Sequence, residues 1–260
     1  MLVLLPPSEG KAAPAKGAAV DVAGLSLPGL RPARERVLAE LVELCRGDED
    51  KALDVLGLGP TQRGEIRRNA ALPDAPAGPA GEVYTGVLYD ALGLASLDAT
   101  ARRRAGERLL VFSGLWGAVT VDDAIPSYRC PIGVRLPGLG GLAAFWRGAL
   151  AQVMPAVADG GLVLDLRSGA YAAAWKPTGD VAARTVCVRV LQVRTVGGVE
   201  KRTVVSHFNK ATKGRLLRAL LESGADPRDA DQLAAHWRES GFTVEEAGAG
   251  RLDVLVRDVH

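Results

Sequence analysis

At 260 residues, 48% hydrophobic and 24% charged, the chain has ample apolar material for a core and the length of one large domain, or of one domain with a small appendage. A formal net charge of +2 excludes nucleic-acid binding by global charge, so any phosphate site must arise from local clustering. Three widely spaced cysteines, Cys45, Cys130 and Cys187, form no CxxC pair, which argues against a disulfide framework or a zinc site and fits a reducing cytoplasm.

The N-terminus MLVLLPP has no basic n-region and too short an apolar stretch for a signal peptide. No run approaches the roughly 18 apolar residues of a membrane span. A cytoplasmic protein without a membrane partner is expected. Residues 2–5 are an apolar run ended by Pro6-Pro7 and read as a buried strand. Residues 12–31, rich in Ala, Gly and Pro, read as loop. Residues 32–46 place Val37, Leu38, Leu41, Val42 and Cys45 on one helical face, with Pro32 in the first turn. A short helix follows over 48–56, and 70–81 is a Pro/Gly loop. Residues 108–113 read as a central strand, 142–157 as a helix and 161–167 as another strand, with Ser168-Gly169 opening a helix over 170–175. Two β-branched segments, 185–194 and 199–206, flank Gly197-Gly198 as a β-hairpin. Asn209 is a candidate cap for a helix over 210–222, and Asp226-Pro227 for one over 228–240. Strands at 242–246 and 251–257 surround a turn at Gly248–Gly250.

No internal repeat or clear linker divides the chain. Residues 1–260 therefore read as a single globular α/β (mixed α+β) domain with a mixed sheet, a basic cleft and a helical hairpin at about 209–240.

Five segments set polar residues where strands end and loops begin, the usual setting of sites. PPSEGK at 6–11 puts Ser8, Glu9 and Lys11 after the first strand. It suits phosphate or carboxylate but lacks Walker A spacing; a solvated turn is the plainer reading. Tyr84 beside Gly86 offers a ring and a hydroxyl, or is simply a core tyrosine. In FSGLWGAVTVDDAIPSYR, Ser113 would project at the mouth of an open turn, although the sequence is not GxSxG. Asp122-Asp123 are a possible Mg²⁺ pair or exposed turn residues. Arg129 has the planar fork that fits phosphate, with Tyr128 beside it to stack on a base, or else it joins an Arg–Asp pair that holds the loop.

Ser168 and Tyr171 open the helix after the fourth motif's strand, where backbone N–H groups suit an anion, and Lys176 precedes Pro177 in extended chain. Ser168 as a plain cap is the alternative. Finally, Lys201, Arg202, Lys210, Lys213, Arg215 and Arg218 fall within 201–218 without an acidic residue. Lys210 and Lys213 share a helical face opposite Leu216, Leu217, Leu220 and Leu221. A charged helix face of this kind is also the ordinary solvated one. His207 and His236 are too isolated to argue for metal. No metal site and no cofactor are expected.

The order and content of these motifs resemble the YaaA peroxide-stress family, nearly end to end. The resemblance rests on Pro7, Ser8 and Lys11; Val83 to Gly86; Ser113 to Gly117, with Trp116 in place of the usual Tyr; Pro126, Tyr128 and Arg129; Ser168, Tyr171, Lys176 and Pro177; then Phe208, Lys210, Lys213 and Gly214. PPSEGK departs from the family's more usual SPAKT, and HFNKATKG from FYAKKARG. The resemblance implies a cytoplasmic protein of unusual α/β architecture that binds DNA through a helix-hairpin-helix-like element beside a basic cleft. It also implies protection against hydrogen peroxide by limiting free iron, a link that is indirect here because the sequence offers no His/Cys/carboxylate cluster to chelate iron.

Two function classes follow. In the first, DNA phosphates sit on Lys210, Lys213 and Arg215, with Arg129 and Lys176 lining the cleft. In the second, an enzyme acts on a nucleotide or nucleobase-like molecule, with Lys11, Ser113 and Tyr171 as candidate catalytic groups, Glu9 as a further acid–base candidate, and Tyr84, Arg129 and Ser168 as binding groups. Both require segments two hundred positions apart to meet around one positively polarised hollow.

Overall fold

The computed structural model describes residues 1–196, 199–204 and 206–257. Eight strands form the main sheet: β1 (Leu2–Leu5), β2 (Leu109–Ser113), β3 (Gly117–Thr120), β4 (Val163–Asp165), β5 (Thr185–Val196), β6 (Val199–Thr203), β7 (Thr243–Glu246) and β8 (Arg251–Arg257). Their order is β7-β8-β5-β4-β1-β2-β3, with β6 added on β5. The five central strands β8, β5, β4, β1 and β2 run parallel. β3, β6 and β7 pair antiparallel at the margins.

The sequence explains this layering. Val3–Leu5 and all of β2 are buried, as expected of parallel strands covered on both faces. In β5, Val186, Val188 and Val190 are buried while Cys187 and Arg189 are exposed, which is the period of a strand with one wet face. The mixed α/β class expected from the sequence is the one observed. Gly197-Gly198, the expected hairpin turn between β5 and β6, lie outside the described residues.

Eleven α-helical segments accompany the sheet among the described residues. They are α1 (Arg31–Arg46), α2 (Glu49–Leu56), α3 (Arg63–Ala70), α4 (Ala80–Val83), α5 (Val87–Leu92), α6 (Ala99–Arg108), α7 (Leu142–Val157), α8 (Gly169–Ala172), α9 (Gly179–Ala183), α10 (Ser206–Ser223) and α11 (Ala230–Glu239). Three indoles are fully buried: Trp116, Trp146 and Trp237. Two of them donate to backbone, Trp146 Nε1 to Gly114 O at 2.7 Å and Trp237 Nε1 to Leu216 O at 3.1 Å, so each ring fixes a segment as well as filling volume. Arg34 is wholly buried on α1 and donates to Trp116 O at 3.0 Å and Ala118 O at 2.7 Å, tying that helix to β3.

Several local expectations are revised. Residues 70–81 are not simply loop: they hold a 3-10 turn at Leu72–Asp74, a two-residue ladder at Gly78–Pro79 and the start of α4. Asn209 lies inside α10, which begins at Ser206, so it is not a cap. α11 is capped by Asp229, whose side chain accepts from Gln232 N. Asp226 instead pairs with the Met1 ammonium at 3.1 Å, which draws the carboxyl's pKa below its ordinary value. α10 and α11 adjoin through the Trp237 bond and the Ser223–His236 contact at 3.2 Å. Gly214 sits where α10 meets α5: a Cβ there would fall 2.3 Å from Leu88 O, so only glycine allows this approach.

Candidate functional site

β4, β1 and β2 are parallel neighbours, so their carboxyl ends share one edge of the sheet. The chain leaves β1 toward β2 on one side and later returns to β4 on the other. In open parallel sheets this is where loops diverge and leave a crevice. Here the crevice is a cavity of about 320 Å³. Its wall takes Pro6–Glu9 and Lys11 from the loop after β1, Arg129–Gly133 from the segment after β3, Ser168, Ala170 and Tyr171 after β4, and Lys210 from α10. Three of the cations anticipated from sequence, Lys11, Arg129 and Lys210, thus share one concavity, but Lys176 is exposed and not in its wall.

Lys11 lies over the buried tyrosines of the core. Its Nζ donates to Ser8 O at 2.8 Å and, more weakly, to Glu9 O at 3.5 Å. It stands 4.4 Å from the centre of the Tyr128 ring and 5.6 Å from that of Tyr84. Burial, with Arg129 next, lowers its pKa to about 8. The two ring faces and the carbonyls favour the charged form and oppose that fall.

Beneath Lys11 lies a buried chain of hydroxyls. Ser113 Oγ is 2.6 Å from Tyr128 OH, which is 2.9 Å from Tyr84 OH. Ser113 Oγ also accepts from the N–H groups of Leu115 and Trp116 at 3.1 and 2.9 Å. Both of its lone pairs are then used, so its proton points to Tyr128 and Tyr128's proton to Tyr84. Burial pushes the Tyr84 hydroxyl up to about 12 and that of Tyr128 well above its ordinary value. Ser113 is therefore not at an open mouth. Neither tyrosine offers a face to a base: Tyr84 is 1% and Tyr128 2% exposed, and Tyr84 stacks on Tyr89 at 5.6 Å. The three residues form the floor that carries Lys11.

Arg129 is set by a residue that sequence reading missed. Buried Asn69, on α3, donates to Arg129 O at 2.7 Å and accepts from Arg129 N at 2.9 Å, so the backbone beside the guanidinium is held from both sides. A lone Asn in RGEIRRNA carries no signal of that role. The guanidinium pairs with Glu9 at 3.2 Å rather than with an aspartate, and its buried Nε has no hydrogen-bond partner among the described residues. Asp122 pairs with Arg102, while Asp123 accepts from Ser26 N and Thr120 N, both at 2.7 Å, so these two are committed to the fold. Among the described residues no group of three or more His, Cys, Asp or Glu could hold a metal ion. Cys130 lies in the cavity wall with its thiol raised to about 12 by burial.

On the β4 side, Ser168 is exposed at the start of α8 and makes no side-chain cap. Tyr171 packs partly buried against the core, and burial raises the pKa of its hydroxyl. The basic segment divides. Lys210 and Arg215 are exposed on α10. Lys213 turns inward to Leu166 O at 3.3 Å, and burial lowers its pKa. Arg218 bonds Leu92 O, Gly93 O and Ser96, and Arg202 is neutralised by Glu200 and Glu245. The expected shared outer face of Lys210 and Lys213 is reduced to Lys210. Neither Lys213 nor Arg215 lines the cavity.

Fold and site thus define a mixed α/β protein with a cation-lined cavity at the carboxyl edge of its parallel strands. Residues 1–248 match the family model described as peroxide stress protein YaaA. A UPF0246 protein of Streptomyces coelicolor is 62% identical over 266 aligned positions, covering 100% of both chains. A UPF0246 protein of Corynebacterium efficiens is 39% identical over 98% of each chain, and one of Ruegeria is 32% identical over 79% of this chain and 80% of its own. The chain belongs to the YaaA peroxide-stress family, as its motifs led us to expect.

Proposed function

We propose that this protein serves in peroxide stress as a cytoplasmic DNA-binding protein, holding strand phosphate in the cavity between the β1 and β4 loops. The observation that carries the reading is the convergence of Lys11, Arg129 and Lys210 on one concavity. A planar guanidinium beside two ammonium groups matches the charge and geometry of successive strand phosphates. α10 and α11, joined through 224–229, are the helix-hairpin-helix-like element of this reading, and Lys210 and Arg215, exposed on α10, would be its outward cations. Burial raises the pKa of all three thiols, so protection is read as binding rather than reduction of peroxide by a thiolate. Any limitation of free iron would be an indirect consequence.

The test is fluorescence anisotropy on duplex and bubble DNA across a salt series. Three phosphate contacts give a slope of about −3 in log K against log salt, and Arg129→Ala with Lys210→Ala reduces it. No binding at low salt, or binding unchanged in that double variant, overturns the reading.

A second reading, an enzyme acting on a nucleotide or nucleobase-like molecule, draws on a different observation. A cavity of about 250 Å³ adjoins the first, walled by Thr85, Val87, Leu88 and Tyr89 and sharing Pro6–Glu9 and Lys210 with it. Apolar space beside cationic space suits a ring joined to a phosphate. A thermal-shift screen of nucleotides and modified nucleosides tests this: a shift abolished by Arg129→Ala supports it, and a flat screen counts against it.

A further inference from the structure

We propose that Lys11 forms an imine with an aldehyde or ketone whose phosphate is held by Arg129 and Lys210. The proposal rests on the reading of this cavity as a phosphate site and names the substrate class that the site takes.

Three features of the cavity carry it. Lys11 is a primary amine in the wall, and among the described residues its Nζ hydrogen-bonds only to the carbonyl oxygens of Ser8 and Glu9, which cannot take its proton. No carboxylate ion pair engages it among the described residues, unlike Arg129 and Glu9. Arg129 and Lys210 line the same cavity, so a phosphate bound to them brings an attached carbonyl to the amine. The Tyr128 ring, backed by Ser113 and Tyr84, fixes the ammonium from below. Burial and Arg129 lower Lys11 to about 8, leaving roughly a tenth as free amine at pH 7, the form that attacks. Lys213 is half-buried, also with a lowered pKa, but it lies outside the wall and serves as an internal comparison.

The step balances without an oxidant or reductant. The amine lone pair attacks the carbonyl carbon while the C=O π electrons move to oxygen. A proton passes from nitrogen to that oxygen, giving a carbinolamine. Protonation of its hydroxyl and loss of water leave the iminium. Ser8, Glu9 and Tyr171 line the same cavity and are the groups placed to pass protons. Phosphate arriving at Arg129 replaces Glu9 there and frees its carboxylate for this task.

The phosphate-bearing carbonyl has two sources: a free sugar phosphate, or the aldehydic sugar of an abasic site in a DNA strand. The full chain is incubated with ribose 5-phosphate, with ribose, or with a duplex carrying one abasic site, each with cyanoborohydride, and adducts are mapped by peptide mass spectrometry. Reduction fixes the imine as a secondary amine on Lys11. The adduct at Lys11 is expected to exceed that at Lys210 or Lys213, and that formed with ribose, by about tenfold. Labelling by ribose 5-phosphate alone assigns the free sugar phosphate, and labelling by the abasic duplex alone assigns the strand aldehyde. Lys11→Arg keeps the cation and abolishes trapping. Arg129→Gln leaves Lys11 in place and lowers the yield about tenfold. Binding of the probes by thermal shift or anisotropy without any Lys11 adduct overturns the imine and leaves the phosphate reading standing. Neither binding nor adduct overturns both. Labelling spread evenly over exposed lysines overturns the imine.

Discussion

The Lys11 ammonium stands 4.4 Å above the centre of the Tyr128 ring, and that tyrosine's hydroxyl is 2.6 Å from Ser113 Oγ. One residue therefore joins a cation in the cavity wall to a buried hydrogen-bond chain anchored on the turn after β2. Tyr128→Phe keeps the ring under Lys11 but leaves Ser113 without its acceptor and Tyr84 without its donor. It should cost roughly 1–3 kcal/mol in urea unfolding while leaving ligand binding near wild type. Ser113→Ala also strips the Leu115 and Trp116 N–H groups of their acceptor and should cost at least as much. A Phe variant as stable as wild type would contradict the chain.

Lys11 gives a signed pH dependence. Its folded pKa of about 8 lies below the 10.5 of an unperturbed lysine, so between these values the unfolded state holds more protons. The cost of burying the ammonium is full below about pH 8, and stability from this group rises as the pH climbs toward 10.5. Unfolding free energies of wild type and Lys11→Met from pH 7 to 10 should move in favour of wild type as pH increases. A gap independent of pH would contradict the burial of this charge.

The thiols should be inert. Burial raises Cys45 to about 11 and Cys130 to about 12, and Cys187, although exposed, is also raised. With little thiolate at neutral pH, loss of native thiols to hydrogen peroxide or iodoacetamide at pH 7.5 should be no faster than for free cysteine. One cysteine reacting well ahead of that reference would count against a protective role that works by binding.

Gly214→Ala should destabilise, against the usual helix preference for alanine. The added Cβ would lie 2.3 Å from Leu88 O and 2.8 Å from Ala91 Cβ, so α10 must move off α5 and carry Lys210 with it. A loss of about 1–3 kcal/mol is expected. Gly148→Ala, in α7 with nothing within 4 Å of its new Cβ, should instead gain up to about 1 kcal/mol.

How much of this was legible depends on whether burial left a pattern in the sequence. β1, β2 and the tail strands are apolar runs bounded by Pro, Gly or polar turns, and they read directly. α3 and α6 did not: RGEIRRNA buries only Ile66 and Asn69, and ATARRRAGER only Ala101 and Ala105, too little for a periodic signal. Asp98, which caps α6 by accepting from Ala101 N, was the usable clue. α10 begins at Ser206, before Asn209, so the capping residue type at 209 marked a position inside the helix rather than its start. In the site, Lys11, Arg129 and Lys210 could be chosen as cations at loop and helix ends. Their meeting, the inward turn of Lys213, the absence of Lys176 from the wall and the grip of Asn69 on Arg129 depend on strand order, which no local pattern records.

The most direct measurement is a charge-matched comparison of DNA affinity at fixed low salt. Arg129→Ala/Lys210→Ala removes two cations from the cavity; Lys16→Ala/Lys51→Ala removes two exposed ones that do not line it. The first pair should weaken binding by about tenfold or more and flatten the salt slope by nearly two, while the second should change both far less. Equal losses from the two pairs, or no loss from the first, would contradict a phosphate site in this cavity.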